Sequence, residues 1–127
     1  MKLRVKGSSL RFRLTQGEVQ RLCNDGRVED KVAFGVGRDL IYRLSVDQEL
    51  DVISASYDNN MIEVRVPEAT IRRWSASDEV TLSHSQPVGG EQLRIAVEKD
   101  FACLAPREGE DESDHFPHPQ GLTGKTC

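Results

Sequence analysis

A cysteine, an aspartate and two histidines lie near the C-terminus and have the chemistry of metal ligands. They are Cys103, Asp114, His115 and His118. Thiolate, carboxylate and imidazole groups suit zinc or another late first-row transition metal, and a His-x-x-His spacing lets one turn present two rings to one ion. The spacing matches no recognised zinc finger. The alternative is therefore a solvated acidic tail that contains two histidines, with a cysteine that packs as a small apolar residue.

A second candidate site is a series of cations on the polar side of the first predicted β-hairpin. The series comprises Lys2, Arg4, Lys6, Arg11 and Arg13, to which an internal repeat adds Arg65. Such a surface suits an anionic partner, but Phe12 is expected to point inward, which leaves no aromatic side chain to stack on bases. The acidic residues between 108 and 114 offer an intramolecular partner, and we favour docking of this acidic tail over binding of nucleic acid.

No group of side chains in the sequence is typical of nucleophilic catalysis. His84 lies in a strand pattern far from any thiol, and no neighbouring residue is placed to orient it. Asp30 interrupts an apolar strand face, so it either pairs with Arg43, Arg72 or a helix N-terminus or marks the end of the strand. We therefore expect a protein that is not an enzyme.

Composition is that of a soluble globular protein. The chain has 127 residues, 37% hydrophobic and 30% charged, with a net charge of −4. It lacks an apolar run near the ~20 residues that span a bilayer, and it opens on alternating charged residues, so we expect a cytoplasmic protein without a membrane partner. Three cysteines without paired spacing indicate free thiols.

The elements that carry these residues belong to a unit that occurs twice, 52 residues apart. This interval aligns residues 10–14 with 62–66, Val19 with Ile71, Leu22 with Trp74 and Val28 with Val80. Each copy alternates apolar and polar residues in its strands and contains one short amphipathic helix, which in the first copy begins with a capping box at Thr15 and Glu18.

The repeat predicts an α+β fold with a duplicated β-β-α-β-β unit. About eight mostly antiparallel strands and two short helices would be related by a pseudo-two-fold axis, either as a small barrel or as packed sheets. We expect one duplicated domain over residues 1–104, with repeat halves at about 1–47 and 53–99. Residues 105–127 lack periodicity and are predicted to form an irregular acidic tail.

Three stretches of the sequence resemble a small family of uncharacterised bacterial proteins. They are the opening MKLRVKG-x-SLR-x-RLT-x-x-EV, the Val-Pro-Glu that precedes Trp74, and EKDF-x-CL followed by an acidic run and Phe-Pro-x-Pro. The family has no assigned activity, so the resemblance implies a bacterial cytosolic origin and a compact stand-alone domain. His118 stands where the family pattern has asparagine, which weakens the metal hypothesis.

Together these patterns favour a non-enzymatic binding or interaction module with its acidic tail docked on a basic sheet face. The alternative is a metal-binding protein that uses Cys103, Asp114, His115 and His118.

Overall fold

The same succession of five elements occurs twice along the chain. The computed structural model describes residues 1–101 and 114–116. The first copy comprises β1 (Lys2–Val5), β2 (Ser9–Leu14), α1 (Gln16–Asp25), β3 (Arg27–Ala33) and β4 (Asp39–Asp47). The second comprises β5 (Ser54–Asp58), β6 (Met61–Pro67), α2 (Glu68–Ser75), β7 (Thr81–Val88) and β8 (Glu91–Lys99). The α+β class and the duplicated β-β-α-β-β unit are therefore confirmed.

The strands form two four-stranded sheets, with the orders β1-β2-β8-β7 and β3-β4-β6-β5. Each sheet combines the first hairpin of one copy with the second hairpin of the other, so exchanging the copies converts one order into the other. The central pairs, β2 with β8 and β4 with β6, are parallel, and the outer pairs are antiparallel. Of the two predicted arrangements, packed sheets are observed, and no closed barrel is found among the described residues.

The predicted interval of 52 residues holds through the helices but not through the last hairpin. Phe12 pairs with Val97, and its counterpart Val64 pairs with Leu44. Leu44 pairs in turn with Val28, and Val97 pairs with Leu82. The structural counterpart of Val28 is therefore Leu82 and not Val80, because the second copy has two more residues between the start of its helix and the start of the following strand.

One hydrophobic core is shared by both sheets and both helices. Its largest fully buried side chains are Trp74, Phe12, Leu14, Leu22, Leu44, Ile71, Ile95, Val64, Val66 and Val97. Phe12 meets Tyr42 of the opposite sheet edge to face, with ring centroids 6.4 Å apart. Gln86 of β7 also bonds to Ala55 of β5 on the opposite sheet. Its side chain accepts the Ala55 N–H at 2.7 Å and donates to the Ala55 carbonyl at 2.9 Å.

The core does not extend to the ends of the edge strands. Val5 is 61% exposed and Phe34 is 70% exposed, although strand alternation predicts that both face the interior. Both residues lie next to hairpin turns at the edges of their sheets, beyond the part that the opposite sheet covers. The prediction that Val5 is nearly inaccessible is therefore wrong.

Helix α1 begins as its sequence predicts. Glu18 Oε1 accepts the Thr15 N–H at 3.0 Å, which is the return bond of the capping box. The helix ends at Asp25 and is capped by Gly26, whose φ of 83° lies in the left-handed region that glycine adopts without strain. No helix in residues 1–101 and 114–116 is long and apolar enough to span a membrane.

Candidate anion-binding face

The outer face of the β1-β2-β8-β7 sheet gathers most of the predicted cations. Lys2 stands opposite Arg13, and Arg4 stands opposite Arg11, in the antiparallel register of β1 and β2. Lys6 is exposed in the turn that follows β1. Strand β8 adds Arg94, which the sequence analysis did not single out, opposite Ser9 of β2. We call the outward side chains of this sheet the basic face: Lys2, Arg4, Lys6, Arg11, Arg13 and Arg94.

Arg65 lies on the other sheet and is not part of the basic face. It is carried by β6, where its Nη2 lies 3.1 Å from Glu63 Oε1. The sequence repeat correctly aligns it with Arg13, but the pseudo-two-fold axis places the two copies on different sheets. Glu63 also lies 3.6 Å from Arg43 Nη1, so the outer face of this sheet has its own buried glutamate between two arginines.

Glu98 supplies a carboxylate in the basic face itself. Its oxygens lie 2.7 Å from Arg11 Nη1 and 2.6 Å from Arg13 Nε, and the Thr81 hydroxyl donates to it at 3.2 Å. Burial raises the pKa of Glu98, but hydrogen bonds and charges from the two arginines outweigh it and hold this pKa below the usual glutamate value. Glu98 thus offsets part of the repulsion between like charges on neighbouring strands.

The C-terminal segment returns to the sheet at the end of β8. The Phe116 N–H donates to the Asp100 carbonyl at 2.9 Å, and the rings of Phe101 and Phe116 meet with centroids 5.6 Å apart. His115 Nε2 and Lys2 Nζ lie 3.1 Å and 3.3 Å from Asp100 Oδ2. These contacts fix residues 114–116 beside one end of the basic face.

Asp114 caps the N-terminus of α1. The Gly17 N–H donates to its carboxylate at 3.1 Å, and the Gln16 N–H donates to its carbonyl at 3.0 Å. Hydrogen bonds from Thr15 and Gly17 lower the pKa of Asp114. A carboxylate at this position also interacts favourably with the positive end of the helix dipole.

A family model matches nearly the whole chain, over residues 1–120, and describes a family of unknown function, DUF7009. The chain belongs to DUF7009. The predicted resemblance to a family without an assigned activity is thereby confirmed. No curated protein and no solved structure matches the chain. Membership of DUF7009 assigns no chemistry, so a function has to be argued from the geometry of the basic face and the segment beside it.

The predicted metal ligands are only partly placed. Asp114 faces the α1 N-terminus, whereas His115 faces Asp100, so these two neighbours do not converge on one point. Cys103 and His118 lie outside the described residues, and residues 1–101 and 114–116 contain no group of three metal-ligating side chains. Metal binding by this DUF7009 chain stays a prediction. Of the predicted free thiols, Cys23 is free and exposed.

Asp30 has a partner that the sequence analysis did not consider. The N-terminal ammonium group of Met1 lies 3.1 Å from Asp30 Oδ2 and also contacts the Glu18 carboxylate. The Tyr42 hydroxyl donates to the Met1 carbonyl at 3.2 Å. Burial, followed by the charges of Asp30 and Glu18, raises the pKa of Tyr42. The ion pair with the Met1 ammonium group thus gives the Asp30 carboxylate a structural partner.

Gly17 offers a test of whether Asp114 occupies the helix N-terminus in solution. A Cβ at Gly17 would lie 3.0 Å from Asp114 Oδ2. Gly17→Ala should stabilise a chain that carries Asp114→Ala by about 0.5–1 kcal/mol, because alanine is the better helix former. With Asp114 present the gain should be smaller or negative, because the carboxylate is displaced. Urea denaturation of the four chains measures this coupling, and an equal gain in both backgrounds would show that Asp114 is not seated there.

Proposed function

We propose that this chain is a non-enzymatic binding module that takes an acidic protein segment on its basic face. The observation that carries the proposal is the shared outward direction of Lys2, Arg4, Arg11 and Arg13 in one sheet register. In this proposal residues 1–104 form the binding domain and residues 105–127 form its acidic tail. Its bacterial, cytoplasmic setting is supported by the family resemblance and by cysteines without paired spacing.

Carboxylates suit this face better than nucleic acid. Arg11 and Arg13 already hold the Glu98 carboxylate at 2.7 Å and 2.6 Å, so the spacing of their guanidinium groups accommodates such a group. The described part of the face presents serine, threonine and alanine between its cations, and no aromatic ring on which bases would stack. An acidic peptide therefore matches the surface more closely than a single-stranded nucleic acid.

An acidic segment of the same chain would compete with an external partner for the basic face. We call residues 102–113 the connecting segment; it contains Glu108, Glu110, Asp111 and Glu112 against a single cation, Arg107. Both its neighbours, Phe101 and Asp114, are fixed at the end of the sheet where Lys2 contacts Asp100. This anchoring supports the proposal that the acidic tail docks on the basic face.

Chain length permits that docking. A looped segment of about 12 residues extends up to about 20 Å from its ends. The basic face between Lys2 and Lys6 is about 13 Å long at roughly 3.3 Å per strand residue. The connecting segment is therefore long enough to cover the whole face. An external acidic partner would have to displace it.

Neutralising the connecting segment should increase binding of an acidic peptide. In the full chain we would combine Glu108→Gln, Glu110→Gln, Asp111→Asn and Glu112→Gln. The affinity for a fluorescent decaglutamate peptide at about 50 mM salt should rise about tenfold, because the intramolecular competitor has lost its charge and screening is weak at this ionic strength. Fluorescence anisotropy measures the change.

A matched control separates competition from net charge. The control combines Asp25→Asn, Glu49→Gln, Asp51→Asn and Asp58→Asn, which change the net charge equally at exposed positions outside the sheet that carries the basic face. It should raise the affinity less than about twofold at the same salt. Equal rises in both variants would remove the docked tail from the proposal. No binding by any variant would refute the binding module, and tighter binding of single-stranded DNA than of decaglutamate would make nucleic acid the partner.

A further inference from the structure

We infer that the basic face contains a subsite for a phosphoryl group, centred on Arg94. The inference rests on the proposed function and specifies it further, since the acidic partner segment would carry a phosphorylated side chain. None of the residues of this subsite belongs to the predicted metal set or to the connecting segment.

A groove of about 740 Å³ lies on the outer side of the β1-β2-β8-β7 sheet at this position. Its outward side chains form two rows across the strands, Ser9–Arg94–Ser85 and Arg11–Ala96–Ser83. Ala96 is the smallest side chain among these cations and hydroxyls, so it forms the floor of the groove. Arg94 lies on β8 two residues before Ala96, about 7 Å away and on the same face of the sheet.

Two arginines and two serines converge on this groove from three strands. Glu98 holds Arg11 at 2.7 Å and so fixes the position of its guanidinium group. Arg94 forms no ion pair with any carboxylate in the described part of the chain, and its side chain is exposed. The hydroxyls of Ser83 and Ser85 stand beside it on the edge strand β7. The Ser9 hydroxyl already donates to the Lys6 carbonyl at 2.6 Å, so it adds no donor.

This donor set fits a phosphoryl group better than a carboxylate. A phosphate monoester presents three acceptor oxygens and a charge of about −1.5 to −2 at neutral pH, whereas a carboxylate presents two oxygens and one charge. Arginine forks bind phosphate oxygens in pairs, and serine hydroxyls donate to the oxygen that remains. Arg11 and Arg13 already hold the carboxylate of Glu98, whereas Arg94 and the two serines beside it have donors that Glu98 does not engage.

Two peptides that differ only in a phosphate test this inference. The probe is a decapeptide of glutamate and glycine with one central serine, prepared with and without phosphate on that serine. We expect the full chain to bind the phosphorylated form at least tenfold more tightly. Arg94→Ala should remove most of this preference and weaken binding of the unphosphorylated peptide by less than about threefold. The double variant Ser83→Ala, Ser85→Ala should reduce the preference severalfold without changing the net charge.

The control variant is Arg38→Ala, which removes one exposed cation from the β3–β4 turn on the other sheet and should leave the preference unchanged. Competition by millimolar inorganic phosphate against the phosphopeptide alone would support a subsite that accepts the free anion. A preference that resists inorganic phosphate would support one that requires the peptide.

Equal affinities for the two peptides, or equal loss for both in Arg94→Ala, would overturn the phosphoryl subsite while leaving the binding module intact. If neither peptide binds, the subsite and the proposed function both fail.

Discussion

Replacing Trp74 with alanine should lower the free energy of unfolding by about 3–5 kcal/mol, the usual cost of removing a large aromatic side chain from a core. Trp74 is 0% exposed, and its indole N–H donates to the Val80 carbonyl at 3.0 Å. The Lys99 ammonium group lies 5.6 Å from the ring centroid. The substitution leaves a cavity, removes one of the two hydrogen bonds to the Val80 carbonyl and takes away one of the two aromatic rings near the Lys99 ammonium group. Urea or guanidinium denaturation measures the loss.

Two further variants serve as a buried and an exposed comparison for Trp74→Ala. Leu22→Ala removes the repeat counterpart of Trp74 on α1, which is also 0% exposed, and should cost about 2–5 kcal/mol. Tyr57→Ala truncates an aromatic side chain that is 69% exposed and should change stability by less than about 1 kcal/mol. A loss below about 1 kcal/mol for Trp74→Ala would contradict its place in the shared core.

The repeat allowed the burial of Trp74 to be predicted from sequence. Strand and helix periodicity identify the apolar face of each element, and the 52-residue interval places Trp74 over Leu22, which lies on the apolar face of α1. The same reasoning fails for Phe34 and Val5, because periodicity gives the direction of a side chain and not the area that the opposite sheet covers. Covered area depends on how two sheets overlap, which no local pattern specifies.

The composition of the basic face is also only partly predictable. The alternation in β1 and β2 places Lys2, Arg4, Arg11 and Arg13 on one side. Glu98 joins them because the parallel pairing of β2 with β8 brings together residues about 85 positions apart in the chain. The sequence predicts that two copies are related by a pseudo-two-fold axis, but it does not tell which hairpins share a sheet. Because the sequence does not show which hairpins share a sheet, the repeat groups Arg65 with the other cations, although it lies on the opposite sheet.

Glu98→Gln should weaken the fold and strengthen anion binding at the same time. The substitution removes a charge that two arginines contact, although both arginine side chains are about 40% exposed, which screens the interaction. We expect a loss of about 1–3 kcal/mol in the free energy of unfolding. Removing one negative charge from the centre of the basic face should raise the affinity for decaglutamate about 3–10-fold at low salt.

The opposite sheet provides a matched control in Glu63→Gln, because Glu63 is also a buried glutamate that contacts two arginines. Glu63 is 8% exposed, like Glu98, and lies 3.6 Å from Arg43 Nη1 and 3.1 Å from Arg65 Nη2 on the opposite sheet. This variant should lose a similar amount of stability and change the affinity for decaglutamate less than about twofold, because its charge lies on the far side of the core. A similar gain in affinity for both variants would mean that net charge, and not the basic face, governs binding.

The stability loss caused by Glu98→Gln should become smaller as the pH falls. Because the arginines hold the pKa of Glu98 below its ordinary value, the folded state favours the ionised carboxylate more than the unfolded state does. The stabilisation is therefore complete above the unfolded value, which is about 4.3, and is lost as the pH falls through the lower folded value. The difference between wild type and Glu98→Gln should be constant above about pH 5.5 and should shrink below about pH 4. Denaturation curves between pH 3 and 7 test this, and a difference that persists undiminished at pH 3 would place the stabilisation in packing and not in the ionised carboxylate.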